Sequence, residues 1–123
     1  MSEPQPIIVL FTDFGITGPY LGQMQAVLHK IAPTIRVIDL LANVPSFNVQ
    51  AASYLLASFT PEFPRNSIFL CVVDPGVGGS RRPMVLYADG QVFVGPGNGL
   101  FEIVARRSKL TEAQAITWHP KRL

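Results

Sequence analysis

A carboxylate, a glycine-rich loop and two guanidinium groups lie within residues 74–82. The apolar run before them, residues 67–73, is typical of a strand buried on both faces of a parallel sheet. Ligands bind at the carboxyl ends of such strands, and glycines let main-chain N–H groups approach them closely. Arg81 could fold back over the loop and hold the Asp74 carboxylate ionised and oriented. This arrangement could position and polarise a water molecule, so we predict that Asp74 and Arg81 are catalytic and that Arg82 faces solvent.

A second acid, Asp13, follows the first predicted strand, residues 7–11. If the first and third strands are neighbours, Asp13 and Asp74 border one crevice at the same edge of the sheet. The Asp13 carboxylate could accept two hydrogen bonds from vicinal hydroxyls such as those of a ribose, or it could simply cap a turn. Asp39 also follows a predicted strand, but no glycine loop accompanies it, and we interpret it as structural.

Two further residues have both a structural and a functional interpretation. Phe47 lies in a loop before a predicted helix, where it could pack against the helix as a hydrophobic staple or cover a flat ligand. Asn98 lies among glycines before another helix, where it could cap that helix or contact a ligand. The sequence alone leaves both alternatives open.

Strand and helix patterns alternate along the chain, which predicts an α/β fold with a doubly wound, mostly parallel sheet flanked by helices. Asp89-Gly90 between two apolar runs adds a β-hairpin, and residues 113–117 could form a last strand. The apolar positions at helical spacing form three predicted inner faces: Leu21, Met24, Val27, Leu28 and Ile31; Val49, Ala52, Leu55, Leu56 and Phe59; and Leu100, Ile103 and Val104.

The composition excludes several classes of protein. With 123 residues, 48% of them hydrophobic and 15% charged, the chain predicts a single globular domain over residues 1–123. No apolar run approaches the roughly 20 residues of a membrane span. The net charge of +2 is too small and dispersed to predict nucleic-acid binding, and the basic cluster at residues 106–109 is typical of a solvated helix end.

Cysteine and histidine usage narrows the chemistry further. Cys71 is the single cysteine and falls in a predicted buried strand, so we expect no disulfide and a cytoplasmic location. His29 and His119 have no neighbours at metal-ligand spacing, and we expect no metal site. Ser80 lacks the elbow motif of a serine hydrolase.

Four ordered motifs resemble the amino-terminal domain of the S-adenosyl-L-methionine hydroxide adenosyltransferases, which are relatives of the fluorinating and chlorinating enzymes that act on the same substrate. The motifs extend over nearly the whole chain: residues 12–15 (Thr-Asp-Phe-Gly), 18–22 (Gly-Pro-Tyr-Leu-Gly), 73–78 (Val-Asp-Pro-Gly-Val-Gly) with Arg81, and 98–100 (Asn-Gly-Leu).

The resemblance implies hydrolysis of S-adenosyl-L-methionine without a cofactor. Water or hydroxide attacks C5′ of the ribose and L-methionine leaves, giving adenosine, so the enzyme chiefly needs alignment and a dry nucleophile. Asp13 would hold the ribose hydroxyls, Phe47 would form the aromatic wall where the halogenating relatives carry Trp, and Asn98 would be a further substrate-binding residue. Asp74 and Arg81 would position and activate the water. The halogenating relatives lack this pair, which favours hydroxide over halide.

The chain also departs from the family pattern. The third catalytic residue of the family is a His in a Phe-His-Gly-Arg-Asp motif, and His119 within Trp-His-Pro does not match it. The carboxyl-terminal β-barrel domain that binds adenine across the subunit interface of a trimer is also absent from the sequence. We therefore expect a truncated amino-terminal domain, a homo-oligomer in its complete form, and weak or no hydrolysis by these residues alone. The alternatives are a non-catalytic module that binds adenosine or S-adenosyl-L-methionine and a domain that self-associates through an exposed apolar surface.

Overall fold

One mixed sheet forms the centre of the computed structural model, which describes residues 5–15, 17–73 and 82–116. In chain order the elements are β1 (Ile8–Thr12), α1 (Tyr20–Ile31), β2 (Val37–Leu41), α2 (Val49–Phe59), a 3-10 turn (Thr60–Glu62), β3 (Ile68–Val72), β4 (Pro83–Ala88), β5 (Gln91–Pro96), α3 (Glu102–Arg107) and β6 (Thr111–Ala115). The strand order is β2-β1-β3-β5-β4-β6. The first four of these strands are parallel, and β4 runs antiparallel to both β5 and β6. The predicted α/β architecture with an added hairpin is confirmed.

The strand order reverses between β1 and β3. From β1 the chain crosses through α1 to β2 on one side, and from β2 it returns through α2 to β3 on the other side. Crevices at the carboxyl ends of strands flanking such a reversal are where open α/β sheets bind ligands. The β1–β3 register pairs Thr12 with Val72, so the two strands end at the same level.

The core lies between the sheet and the helices α2 and α3. Phe69 and Phe93, on adjacent strands, are fully buried and stack with ring centroids 4.8 Å apart. The predicted inner face of α2 is confirmed, because its members are either buried or packed against this core: Val49, Ala52, Leu55, Leu56 and Phe59. The three apolar positions predicted around α3 are also buried: Leu100, Ile103 and Val104.

The predicted inner face of α1 is partly wrong. Leu21, Met24 and Leu28 are half-buried, whereas Val27 and Ile31 are 51% and 75% exposed, and no residue of the helix is fully buried. At 100° per residue, Val27 and Ile31 lie about 60–100° around the helix from the centre of the half-buried side. The apolar stripe is therefore wider than the contact that α1 makes.

The predicted hairpin is present, with Asp89 and Gly90 at its turn. Asp89 and Gly90 have φ angles of 49° and 86°, and positive values at both central positions are required by the tight type I′ turn. The last strand, β6, begins two residues earlier than predicted and pairs with β4, for example through Glu112 and Tyr87.

Candidate functional site

Asp13 stands at the carboxyl end of β1, where three segments meet. Three main-chain hydrogen bonds join the loops after β1 and β2 and the end of β3: Asp13 N–H to Val72 O at 3.1 Å, Gly15 N–H to Ala42 O at 2.6 Å, and Val44 N–H to Thr12 O at 3.0 Å. Asp13 is half-buried at this junction. The predicted crevice required β1 and β3 to be neighbours, and they are. Asp13 lies at the edge of the sheet where both strands end.

Phe47 lies in the loop that enters α2, and its side chain is 94% exposed. Asn48, the next residue, caps α2 by accepting a hydrogen bond from the Ala51 N–H at 2.9 Å. A hydrophobic staple would bury the aromatic ring against the helix, so that interpretation of Phe47 is wrong. The ring is left as an exposed apolar surface on the loop that follows β2.

Asn98 follows β5 and is half-buried. Its Nδ2 donates a hydrogen bond to Val73 O at 3.0 Å, and its Oδ1 accepts one from the Leu100 N–H at 3.1 Å. The sequence offered a cap for α3 as one role of Asn98, but α3 begins at Glu102 after Phe101, which makes no side-chain cap. Asn98 instead joins the end of β3 to the loop after β5.

The Ile103 N–H in the first turn of α3, which a capping side chain would otherwise bind, donates to Ser53, a residue that the sequence analysis missed. Ser53 in α2 is buried, and its Oγ accepts a hydrogen bond from the Ile103 N–H in the first turn of α3 at 3.2 Å. A polar residue between Ala52 and Leu56 on an otherwise apolar helix face was the available signal. Buried hydroxyls usually have a partner, and here the partner is a second helix.

The predicted catalytic pair, Asp74 and Arg81, lies outside the described residues, as do Ser80 and His119. Val73, the residue before Asp74, is fully buried at the same edge as Asp13. Arg82 is exposed, in agreement with its predicted position in solvent. The roles of Asp74 and Arg81 remain predictions.

Two clefts adjoin this edge. One of about 290 Å³ lies between β3 and β5, where Leu70, Val72 and Val94 contribute to an apolar lining. The other, about 270 Å³, lies between α2 and α3 and is lined in part by Ser53 and Asn98. Ligand sites commonly enclose about 300–1,000 Å³, so each cleft alone is small for a nucleoside.

Two larger clefts, of about 340 and 490 Å³, flank the Asp89–Gly90 turn at the opposite end of β5. The Asp89 carboxylate there is used structurally, because it accepts hydrogen bonds from the N–H groups of Leu110 and Lys109 at 2.9–3.1 Å. These bonds, with the Leu110 bond the largest contribution, lower the pKa of Asp89. The Asp89 carboxylate is thus occupied by main-chain N–H groups and stabilises the turn. We therefore place the candidate site at the Asp13 edge of the sheet, although the clefts there are smaller.

Three other features with charged or reactive side chains lie away from the Asp13 edge or are buried: Asp39, the basic end of α3 and Cys71. Asp39 is exposed within β2, opposite Leu10 of β1. The basic cluster ends α3 as predicted: Arg106 pairs with Glu102, and the Arg107 guanidinium lies 5.7 Å from the Tyr54 ring centroid. Burial raises the pKa of the Cys71 thiol, which keeps it protonated and a poor nucleophile.

Within residues 5–15, 17–73 and 82–116, His, Cys, Asp and Glu side chains form no group of three or more that could ligate a metal ion. In the same part of the chain, each helix is too short or too polar to cross a lipid bilayer.

The sequence of this chain is similar to those of known enzymes. The chain is 40% identical to the (R)-S-adenosyl-L-methionine hydrolase of Salinispora tropica over 97 residues, which are 79% of this chain and 37% of the relative. It is 38% identical to the enzyme of the same name from Thermus thermophilus, over 78% of this chain and 37% of the relative. The chain thus spans less than half the length of these curated relatives.

A solved structure shows the same fold. An uncharacterized conserved protein from Thermotoga maritima superposes with a TM-score of 0.84 and 38% sequence identity, covering 90% of this chain and 43% of that protein. The family model described as the SAM hydroxide adenosyltransferase N-terminal domain matches residues 8–122. Since this match covers every helix and strand that the described residues form, from β1 to β6, the chain belongs to the SAM hydroxide adenosyltransferase N-terminal domain family.

Proposed function

We propose that this chain carries the ribose and water subsites of an enzyme that hydrolyses S-adenosyl-L-methionine to adenosine and L-methionine. The observation that supports this most directly is the position of Asp13, whose main chain is bonded to Val72, two residues before Asp74 along the neighbouring strand. Relatives that share this part of the chain are named (R)-S-adenosyl-L-methionine hydrolases.

The proposed reaction is a displacement at C5′ of the ribose. A water oxygen forms a bond to C5′ while the C5′–S bond breaks, and the electron pair of that bond returns to the sulfonium sulfur to give neutral L-methionine. The water loses one proton, so S-adenosyl-L-methionine and water give adenosine, L-methionine and H⁺. Because the leaving group is already cationic, the protein mainly has to align the water and exclude competing solvent.

Each proposed side chain has a role in that alignment. Asp13 accepts hydrogen bonds from the two ribose hydroxyls. Phe47 places an aromatic wall beside the ribose, for which its exposed ring is suited. Asp74 accepts a hydrogen bond from the attacking water, and Arg81 keeps Asp74 ionised and oriented.

The test is product analysis in ¹⁸O-labelled water. The purified chain, at high concentration, is incubated with S-adenosyl-L-methionine and the products are identified by mass spectrometry. We expect slow formation of adenosine with ¹⁸O at the 5′ oxygen, and a lower rate for Asp74→Asn. Adenosine without label, or 5′-methylthioadenosine as the product, would contradict attack by water at C5′.

A second candidate function is self-association without turnover. The exposed apolar residues of α1, with Tyr20 at 63%, Val27 at 51% and Ile31 at 75% exposure, favour it because helices rarely leave such a stripe uncovered. Light scattering over a concentration series, combined with the adenosine assay, separates the candidates. A molar mass that rises with protein concentration, in a chain that forms no adenosine, supports an interaction domain. A ligand-binding module without chemistry would instead bind S-adenosyl-L-methionine in calorimetry and form no product.

A further inference from the structure

The side-chain amide of Asn98 binds the carbonyl group of Val73, the residue that directly follows β3. Its Nδ2 lies 3.0 Å from Val73 O, and its own orientation is fixed by the Leu100 N–H, which lies 3.1 Å from Oδ1. Val73 is fully buried. Its carbonyl carbon is bonded to the nitrogen of Asp74, so Asn98 holds the peptide group that directly precedes the predicted catalytic acid.

The backbone of β5 does not supply this hydrogen bond. The β3–β5 register ends with the pair Leu70 and Val94. In that ladder the Val92 N–H donates to Ser67 O, so the same pattern continued along both strands would direct the main-chain N–H of residue 98, which lies beyond the end of β5, to Val73 O. The Gly97 N–H points the other way and donates to Arg82 O at 3.0 Å on the side of β4. The Asn98 side chain therefore provides the donor for Val73 where the strand ladder has ended.

We propose that Asn98 is a positioning residue for Asp74, an inference that rests on the proposed hydrolysis. By fixing the Val73 carbonyl, it fixes the peptide group that precedes Asp74, and through that peptide group it affects how the Asp74 carboxylate meets the attacking water. A residue that bound the ribose would chiefly affect substrate affinity. A residue that positions the catalytic acid chiefly affects the rate of the chemical step.

The informative variant is Asn98→Asp, which keeps the acceptor for Leu100 and replaces the amide donor with an oxygen facing Val73 O. The matched control is Gln91→Glu at the start of β5, the strand that Asn98 follows, where the Gln91 amide donates to Thr60 O and Phe63 O, each at 3.0 Å. We expect Asn98→Asp to lower kcat for adenosine formation about tenfold with KM within about twofold of the parent. Gln91→Glu should leave kcat within about twofold.

The pH profile separates positioning from a general loss of structure. A protonated carboxyl group has an O–H donor, whereas the ionised form can only accept. In Asn98→Asp the ratio of variant kcat to parent kcat should therefore rise as the pH falls and the introduced group regains a hydrogen bond to Val73. A variant damaged by misfolding would show no such recovery.

A readout independent of turnover is the ¹³C chemical shift of the Val73 carbonyl. It should change in Asn98→Asp and remain unchanged in Gln91→Glu. If the parent neither forms adenosine nor binds S-adenosyl-L-methionine, the proposed function fails, while the Val73 shift still decides whether Asn98 fixes the Val73 carbonyl. An unchanged Val73 shift, or a raised KM with unchanged kcat, would overturn the inference.

Discussion

The main-chain N–H of Asp13 donates a hydrogen bond to the carbonyl oxygen of Val72 at 3.1 Å. This bond continues the β1–β3 ladder by one residue and fixes the residue after β1 to the final residue of β3. Asp74 follows Val72 by two positions along the chain. Asp13 and Asp74 are 61 residues apart in sequence. The hydrogen bond from Asp13 to Val72 nevertheless links the first acid to a residue only two positions before the second.

Replacing Asp13 tests the ribose subsite. Asp13→Asn keeps the size of the side chain but removes the charge, and hydrogen bonds to charged groups contribute about 1.5–3 kcal/mol, equivalent to about a tenfold to hundredfold loss of affinity. Isothermal titration with S-adenosyl-L-methionine measures the effect. The control is Asp39→Asn, an exposed acid in β2, which should bind like the parent. Equal affinities for the two variants would remove Asp13 from the site.

Phe47 should affect binding without affecting stability. Because the ring is 94% exposed, Phe47→Ala should change the free energy of unfolding by less than about 0.5 kcal/mol. An aromatic contact of about 0.5–1.5 kcal/mol predicts an affinity for S-adenosyl-L-methionine about twofold to tenfold lower, restored by Phe47→Trp. Urea unfolding and calorimetry provide the two measurements. A loss of stability without a loss of affinity would show that the ring is a structural element.

Gly95 sets the distance between β5 and β3. A Cβ atom at this position would lie 2.7 Å from Cys71 O and 2.9 Å from Cζ of Phe101, and the main-chain oxygen cannot move aside easily. Gly95→Ala should therefore lower the free energy of unfolding by about 1–3 kcal/mol in urea titrations. Gly22→Ala in α1 is the matched control, because nothing lies within 4 Å of its Cβ, and a helix interior gains up to about 1 kcal/mol from the change. A neutral Gly95→Ala would contradict the close approach of the strands.

Asp89 predicts a pH dependence of stability. Its folded-state pKa is lowered, first by the hydrogen bond from Leu110 and then by that from Lys109, so the unfolded chain binds the proton more readily. The contribution is present above the pKa of the unfolded state and is lost as the pH falls through the folded-state pKa. Asp89→Asn keeps an acceptor and tolerates the positive φ of 49°. Urea midpoints from neutral to acid pH should fall more steeply for the parent than for this variant, and parallel curves would contradict the assignment.

Local patterns predicted the elements, but their partners depended on the tertiary structure. The continuous apolar runs identified β1 and β3, and Asp89-Gly90 identified the hairpin, because those signals reside in neighbouring residues. The apolar positions of α1 could not reveal which of them face the sheet, since Val27 and Ile31 fit the helical period as well as Leu28 does.

The site shows the same limit. The sequence could place Asp13 after a strand, but its bond to Val72 required the strand order. Asn98 was a candidate from its glycine-rich surroundings, yet its partner Val73 is 25 residues away and could not be read from spacing. Ser53 was missed because its acceptor role depends on how α2 packs against α3.

The most direct test of the proposed site is a nuclear magnetic resonance titration of the ¹⁵N-labelled chain with S-adenosyl-L-methionine. The account predicts saturable shifts of the amides of Asp13, Val44, Phe47 and Leu100 at the carboxyl edge of the sheet, with the amides of Asp89 and Gly90 unaffected. Shifts confined to the clefts around the Asp89–Gly90 turn, or no shifts at millimolar ligand, would contradict a ribose subsite at the ends of β1 and β3.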